Sequence, residues 1–117
     1  MSPARQFELN PLEFHVLLAL ASCPMYGYAI RNAVSTESGG TLTPRAGSLY
    51  RVLARFMASG LVKDADPAGE LPPHPGLARK YYALTRAGRN TLAAEAQRLK
   101  HSARMAEKRL GVVPGRS

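Results

Sequence analysis

Residues 45–60, RAGSLYRVLARFMASG, are the stretch that decides the fold. Apolar side chains recur there at positions i, i+3, i+4, i+7 and i+8, namely Leu49, Val52, Leu53, Phe56 and Met57. This spacing is typical of an amphipathic helix, which buries one face and leaves the other polar. Gly60 stands where a left-handed C-terminal cap is expected. The stretch therefore predicts a helix from about Arg45 to Ser59 with a polar face of arginine and hydroxyl groups.

Two further helices are predicted upstream. Residues 10–13, NPLE, are typical of a helix start, because the asparagine can cap free N–H groups and the glutamate completes a capping box. The mostly apolar run at 12–21 predicts a largely buried helix that ends before Pro24. A second helix is predicted over about 26–38, and with the helix at 45–59 it forms a helix-turn-helix unit.

The downstream half predicts a wing and a long last helix. Two strand candidates, 61–65 and 79–84, flank a segment rich in Pro and Gly, which indicates a β-hairpin with a long tip. Thr85 has the position of an N-cap for a helix that runs to about Leu110. Its apolar positions are spaced 4, 3, 4, 3 and 4 residues apart: Leu92, Ala96, Leu99, Ala103, Ala106 and Leu110. Because so small a domain has little else to cover this narrow heptad seam, we expect a second copy of the chain there.

The element order predicts a mainly α fold with a small β-hairpin, that is, a winged helix-turn-helix followed by a long C-terminal dimerisation helix. The length of 117 residues fits one such domain. We expect an N-terminal arm at 1–9, the winged domain at 10–84, the dimerisation helix at 85–110 and a flexible tail at 111–117.

The chain is strongly basic, with 16 Lys and Arg against 8 Asp and Glu and a net charge of +8. Such a surface attracts polyanions, above all nucleic acid. Cys23 is the only cysteine, so an intrachain disulfide is excluded, and we expect a small buried thiol beside Pro24 rather than a redox switch. Neither a membrane span nor the apolar stretch of a signal peptide is evident, so we expect a cytoplasmic protein with no membrane partner.

Four stretches, in this order, resemble the PadR family of transcriptional regulators and in particular its short subfamily. They are LEFHVLLAL at 12–20, MYGYAI at 25–30, GSLYRVLARFMASGLV at 47–62 and RKYYALTRAG at 79–88. The resemblance implies a winged-helix homodimer that represses genes for detoxification or efflux, and some members respond to phenolic acids or other hydrophobic drugs. This chain departs from the family in a Pro-rich insertion at 67–76. It also contains no Trp, which excludes the stacking of a planar drug on an interfacial Trp that some members use.

The predicted DNA-binding residues come from the third helix (Arg45, Gly47, Ser48, Tyr50, Arg51 and Arg55), the wing (Lys63, Arg79 and Lys80) and the start of the second helix (Tyr26). Arginine bonds guanine through two hydrogen bonds in the major groove, and hydroxyl groups donate to phosphate oxygens. Basic wing residues grip phosphates beside the minor groove. The plainer alternatives are a solvated helix face and a charged edge strand that discourages aggregation. Tyr28 fits a phosphate contact and the core equally well.

The resulting hypothesis is a homodimer that reads a palindromic operator with its third helices about 34 Å apart, and that a small hydrophobic or aromatic effector releases. Two alternatives stay open: a basic nucleic-acid-binding module without sequence specificity, and an adaptor that uses the long helix as a docking face. His15, His74, His101 and Cys23 share no metal-ligand spacing. Because no catalytic motif is present either, we expect no cofactor and no enzyme activity.

Overall fold

The structure, a computed structural model, describes residues 8–66 and 80–111. Seven elements follow one another: α1 (Pro11–Ala19), β1 (Met25–Tyr26), α2 (Gly27–Glu37), α3 (Ala46–Ala58), β2 (Val62–Ala65), β3 (Tyr81–Leu84) and α4 (Arg86–Leu110). The predicted order of three helices, a wing and a long last helix is confirmed. The Pro-rich insertion and the tail beyond Gly111 lie outside the described residues.

The helix ends lie where the local sequence signals place them. The Asn10 side chain accepts a hydrogen bond from the Glu13 N–H at 2.8 Å, and the Glu13 carboxylate accepts one from the Asn10 N–H at 2.9 Å, which completes the capping box. The Thr85 hydroxyl caps α4 and donates to the Gly60 carbonyl at 2.6 Å. Gly60 and Gly111 have φ values of 80° and 71°, the left-handed conformation that ends α3 and α4 at little steric cost for glycine.

The sheet has one strand more than the sequence predicts. Its antiparallel order is β1-β3-β2, in which Met25 is opposite Tyr82 and Val62 is opposite Leu84. The two residues of β1 are too few for a period-2 pattern, and they become a strand only because β3 lies beside them. The wing is therefore attached, through Tyr81 and Tyr82 of β3, to the two residues that precede α2.

One core joins α1, α2, α3 and the sheet. Its largest fully buried side chains are Val16, Leu17, Leu20, Ile30, Val34, Leu49, Leu53 and Leu61. Each such side chain contributes about 1.5–3 kcal/mol relative to exposure. The prediction that α1 is largely buried is confirmed, whereas α4 adds to this core only the half-buried Leu92. Within the described residues, no helix is both long enough and apolar enough to span a membrane.

A close backbone contact fixes where α4 leaves the sheet. A Cβ atom on Gly88 would overlap the Leu61 carbonyl oxygen, and the same oxygen accepts the Thr85 N–H at 3.1 Å. The Arg89 guanidinium also donates to the Ala21 carbonyl at 3.1 Å, next to the end of α1. The first turns of α4 are thereby tied to α1 and to the start of β2, while the helix beyond Glu95 is mostly exposed.

Candidate nucleic-acid interface

The first two turns of α3 present an uncovered polar face. Arg45, Gly47 and Arg51 are exposed and Ser48 is half-buried, while Leu49 and the rest of the apolar stripe point into the core. Within the described part of the chain, neither arginine is engaged in an ion pair. A Cβ atom on Gly47 would meet nothing within 4 Å, so packing within the chain does not require this glycine. The face is open to a ligand that approaches closely.

Tyr50 lies on the same helix but is seated against the start of α2. A Cβ atom on Gly27 would overlap the Tyr50 hydroxyl oxygen and Cζ, the ring carbon that carries it. Gly27 is buried beneath the ring, while the ring itself stays partly exposed. Tyr50 therefore links α3 to α2 and still presents one edge to solvent, which the sequence alone does not reveal.

The two tyrosines at the start of α2 have different environments. Tyr26 is the N-cap residue of α2, is half-buried, and packs edge-on against Tyr81 with ring centroids 5.6 Å apart. Tyr28 is 59% exposed, so the core placement that the sequence also allowed is wrong. Its alternative, a phosphate contact, stays a prediction.

At the base of the wing, Lys80 is held by neighbours on the sheet. Its ammonium lies 3.3 Å from the Asp64 carboxylate and 5.5 Å from the centroid of the Tyr82 ring. Burial raises the pKa of the Tyr82 phenol, an effect that the nearby Lys80 charge partly opposes. Lys63 is exposed and adjacent to Asp64 on β2, so it projects to the other side of the sheet. Arg79 lies outside the described residues.

Arg55 has a partner that the sequence analysis missed. Its guanidinium forms an ion pair with Glu13, whose side chain is buried in the capping box of α1. The pair connects the C-terminal half of α3 to the start of α1. The prediction that Arg55 contacts DNA stays a prediction. The residues Asn-Pro-Leu-Glu ahead of an apolar run predicted the N-terminal cap of α1. No local signal predicted that Arg55, which is distant in the sequence, would pair with its glutamate.

A cleft of about 430 Å³ opens between the turn after α1 and the wing. Its walls include the apolar Leu20 and Pro24 and the charged Lys63, Asp66 and Arg89. Cys23 also lines the cleft and is exposed. The expectation of a buried thiol is therefore wrong, because α1 ends at Ala19 and the next residues form a surface turn. In residues 8–66 and 80–111, no group of three or more His, Cys, Asp or Glu side chains is arranged to hold a metal ion.

The heptad seam of α4 is largely uncovered by its own chain. Leu92 is half-buried, whereas the remaining seam residues are exposed: Ala96, Leu99, Ala103, Ala106 and Leu110. Leu99 is 40% and Leu110 76% exposed, which are high values for leucine. Beside the seam, Arg98 donates two hydrogen bonds to the buried Glu95, at 2.9 and 2.6 Å, and they lower the pKa of that carboxyl.

Comparison with known proteins assigns the chain to a family. It matches the transcriptional regulator PadR-like family over residues 16–94. A curated relative, the uncharacterized 37.1 kDa protein in transposon TN4556 of Streptomyces fradiae, is 41% identical over 87 residues, which make up 74% of this chain and 22% of that protein. The chain thus spans about a fifth of that relative's length.

Solved structures share the fold. A PadR family transcription regulator from Clostridium difficile R20291 has 23% identity and a TM-score of 0.69, with 86% of this chain and 99% of that chain covered. Bacillus subtilis PadR, solved in complex with operator DNA, has 21% identity and a TM-score of 0.60, with 73% of this chain and 46% of that chain covered. The family match covers most of the residues, and these structures share the fold. The chain therefore belongs to the PadR-like family of transcriptional regulators.

Proposed function

We propose that the chain is a sequence-specific DNA-binding regulator that acts in the cytoplasm as a homodimer on a palindromic operator and represses transcription. The observation that carries this proposal is the uncovered face at the start of α3. Arg45 and Arg51 there have guanidinium groups without ion pairs in the described residues, and Gly47 leaves room for a phosphate or a base edge. Among solved relatives of the same fold, Bacillus subtilis PadR is bound to operator DNA.

The wing supplies contacts of a different kind. Lys63 and Lys80 are exposed at its base, and Arg79 precedes Lys80 in the sequence. Lysines of this sort neutralise phosphates and release condensed counterions, which gives affinity without sequence information. Sequence information would come from the arginines of α3, because each can bond guanine through two hydrogen bonds.

The dimer is proposed from the exposed seam of α4. A row of alanines with Leu99 and Leu110 at 3- and 4-residue spacing suits close packing against an identical helix. A twofold axis at this seam makes the interface self-complementary. It also presents two copies of α3 to two half-sites, about 34 Å apart on one side of the duplex. A dimer bound across a promoter blocks polymerase.

An effector that releases the DNA is proposed from the family. By that resemblance the effector would be a hydrophobic molecule between the C-terminal helices and the core. The cleft beside Cys23 instead lies at the start of α4, and Lys63, Asp66 and Arg89 line it. Such walls favour a ligand with charged groups over a purely hydrophobic one.

Fluorescence anisotropy tests the proposal, with the duplex upstream of the chain's own gene, a scrambled duplex of equal composition, and a salt series. We expect tight binding to the first duplex, weak binding to the second, and a steep salt slope. Arg51→Ala is expected to weaken operator binding by about 1–3 kcal/mol, and Lys80→Ala to weaken both duplexes and lower the slope by about 1. Lys100→Ala, which removes an exposed charge from the distal part of α4, is the matched control.

Each alternative function has its own outcome in this assay. Equal binding to both duplexes would contradict sequence-specific regulation and indicate a basic nucleic-acid-binding module. Absence of binding at low salt would contradict any role on DNA and indicate a protein-interaction adaptor.

A further inference from the structure

Asp64 is an acidic residue in the basic wing, and it lies beside one of the lysines that we assign to phosphate binding. We propose that Asp64 is a positioning residue that raises discrimination between operator and random DNA, because it orients Lys80 and partly offsets its positive charge in the free protein. This inference rests on the proposed function, since it concerns the selectivity of the same DNA interface.

The geometry around Lys80 supports the positioning role. Asp64 is the register partner of Tyr82 across β2 and β3, so both side chains project from one face of the sheet. Tyr82 is only 5% exposed, which fixes its ring, and the Asp64 backbone is fixed by its strand. The Lys80 ammonium is thus held between a carboxylate at 3.3 Å and an aromatic ring whose centroid is 5.5 Å away. An ammonium ion has favourable interactions with both groups.

The same pair has an electrostatic consequence for random DNA. The side chains of Lys80 and Asp64 are 55% and 67% exposed, and an ion pair in that environment is weak enough for a phosphate to displace. In a non-specific complex only charge matters, so a carboxylate at the wing opposes binding. In the operator complex the wing is docked. Because Lys80 is already held near its contact position, less side-chain entropy is lost on binding.

Lys63 shows that the pairing is selective within the wing. It is adjacent to Asp64 in β2 and exposed, yet among the described residues it has no ion pair. Lys63 in β2 is therefore unpaired among the described residues, while Lys80, immediately before β3, is paired with a carboxylate. Loss of Asp64 would free one positive charge at a single defined position.

The test compares Asp64→Asn with Asp66→Asn. Asp66 lies two residues further on, is exposed and has no ion pair with a described residue, so its variant makes the same change in net charge without releasing Lys80. Binding of each variant to operator and scrambled duplexes is measured across a salt series. For Asp64→Asn we expect about fivefold tighter binding to scrambled DNA, a slope steeper by about 0.9 and little gain on the operator. For Asp66→Asn we expect similar small changes on both duplexes.

A second comparison shows whether Asp64 acts through Lys80. In a Lys80→Ala background, Asp64→Asn is expected to leave the ratio of operator to scrambled-duplex affinity unchanged. In the wild-type background, Asp64→Glu is expected to preserve that ratio because it keeps the negative charge. The inference is overturned if Asp64→Asn and Asp66→Asn give the same ratio, or if the effect of Asp64→Asn persists without Lys80. A wild-type protein without operator preference would instead contradict the proposed function, so the two failures are distinguishable.

Discussion

Gly88 in the first turn of α4 provides a direct test of how the long helix is attached. Replacement of a helical glycine by alanine normally stabilises a helix by up to about 1 kcal/mol, because it restricts the unfolded chain. At this position the structure predicts the opposite, since the new Cβ atom would overlap the Leu61 carbonyl oxygen. That oxygen belongs to the backbone and already accepts the Thr85 N–H, so it cannot rotate away.

The expected magnitude follows from two opposing terms. Overpacking that forces a backbone shift destabilises proteins by about 1–3 kcal/mol, and the propensity gain offsets at most about 1 kcal/mol of that. With that full offset, Gly88→Ala is expected to lose up to about 2 kcal/mol of stability. In a domain of this size each kcal/mol lowers the Tm by about 4–8 °C.

Gly47→Ala is the matched control, because Gly47 is also in a first helical turn but a Cβ atom there would meet nothing within 4 Å. Urea denaturation at one fixed protein concentration should show a lower midpoint for Gly88→Ala and an equal or higher one for Gly47→Ala. If both variants are stabilised alike, Gly88 does not lie close to the Leu61 carbonyl, and this contact does not fix the direction of α4.

Three further predictions concern the seam, the first cap and a buried carboxyl. Leu99→Glu places a charge on the exposed seam, so sedimentation should show a folded monomer where the wild type forms the proposed dimer. A wild-type monomer at micromolar concentration would contradict the proposed assembly. Glu13→Ala removes the hydrogen bond from the Asn10 N–H to the Glu13 carboxylate and the partner of Arg55, and it should lower the free energy of unfolding by about 1–2 kcal/mol in urea. An unchanged midpoint would refute that role. Hydrogen bonds from Arg98 lower the pKa of Glu95 below its ordinary value of 4.5, so their stabilisation is complete above that pH and is lost as the pH falls through the folded pKa. The urea midpoint of the wild type should fall below pH 4.5, and Glu95→Gln should reduce that fall. Identical pH profiles for the wild type and the variant would exclude the Glu95 carboxyl as the source of the pH dependence.

Much of the fold is predictable because its signals are local. The capping box at Asn10, the Thr85 cap and the left-handed Gly60 each depend on residues within one turn of chain. The amphipathic stripe around Leu49 likewise identifies α3 without knowledge of its neighbours. The side of α3 that stays open follows from the same periodicity.

The environments of individual site residues are not predictable in this way. Arg55 and Lys80 look equally available in the sequence, yet one is paired with Glu13 and the other with Asp64. These partners lie 42 and 16 positions away in the chain, and no periodic pattern connects residues at such separations. Cys23 was misjudged for a related reason, because burial depends on where the preceding helix stops and what packs over the turn.

The sequence by itself determined the order of the helices, their caps, the stripe of α3 and the heptad seam of α4, because all of these arise from spacings of a few residues. Only the tertiary structure decided that Met25 and Tyr26 form a strand, that Tyr50 rests on Gly27, and that Lys80 is held by Asp64. Each of these contacts brings together groups that are distant in the chain. Their geometry depends on the packing of whole elements against one core, and that packing is a property of all the residues at once.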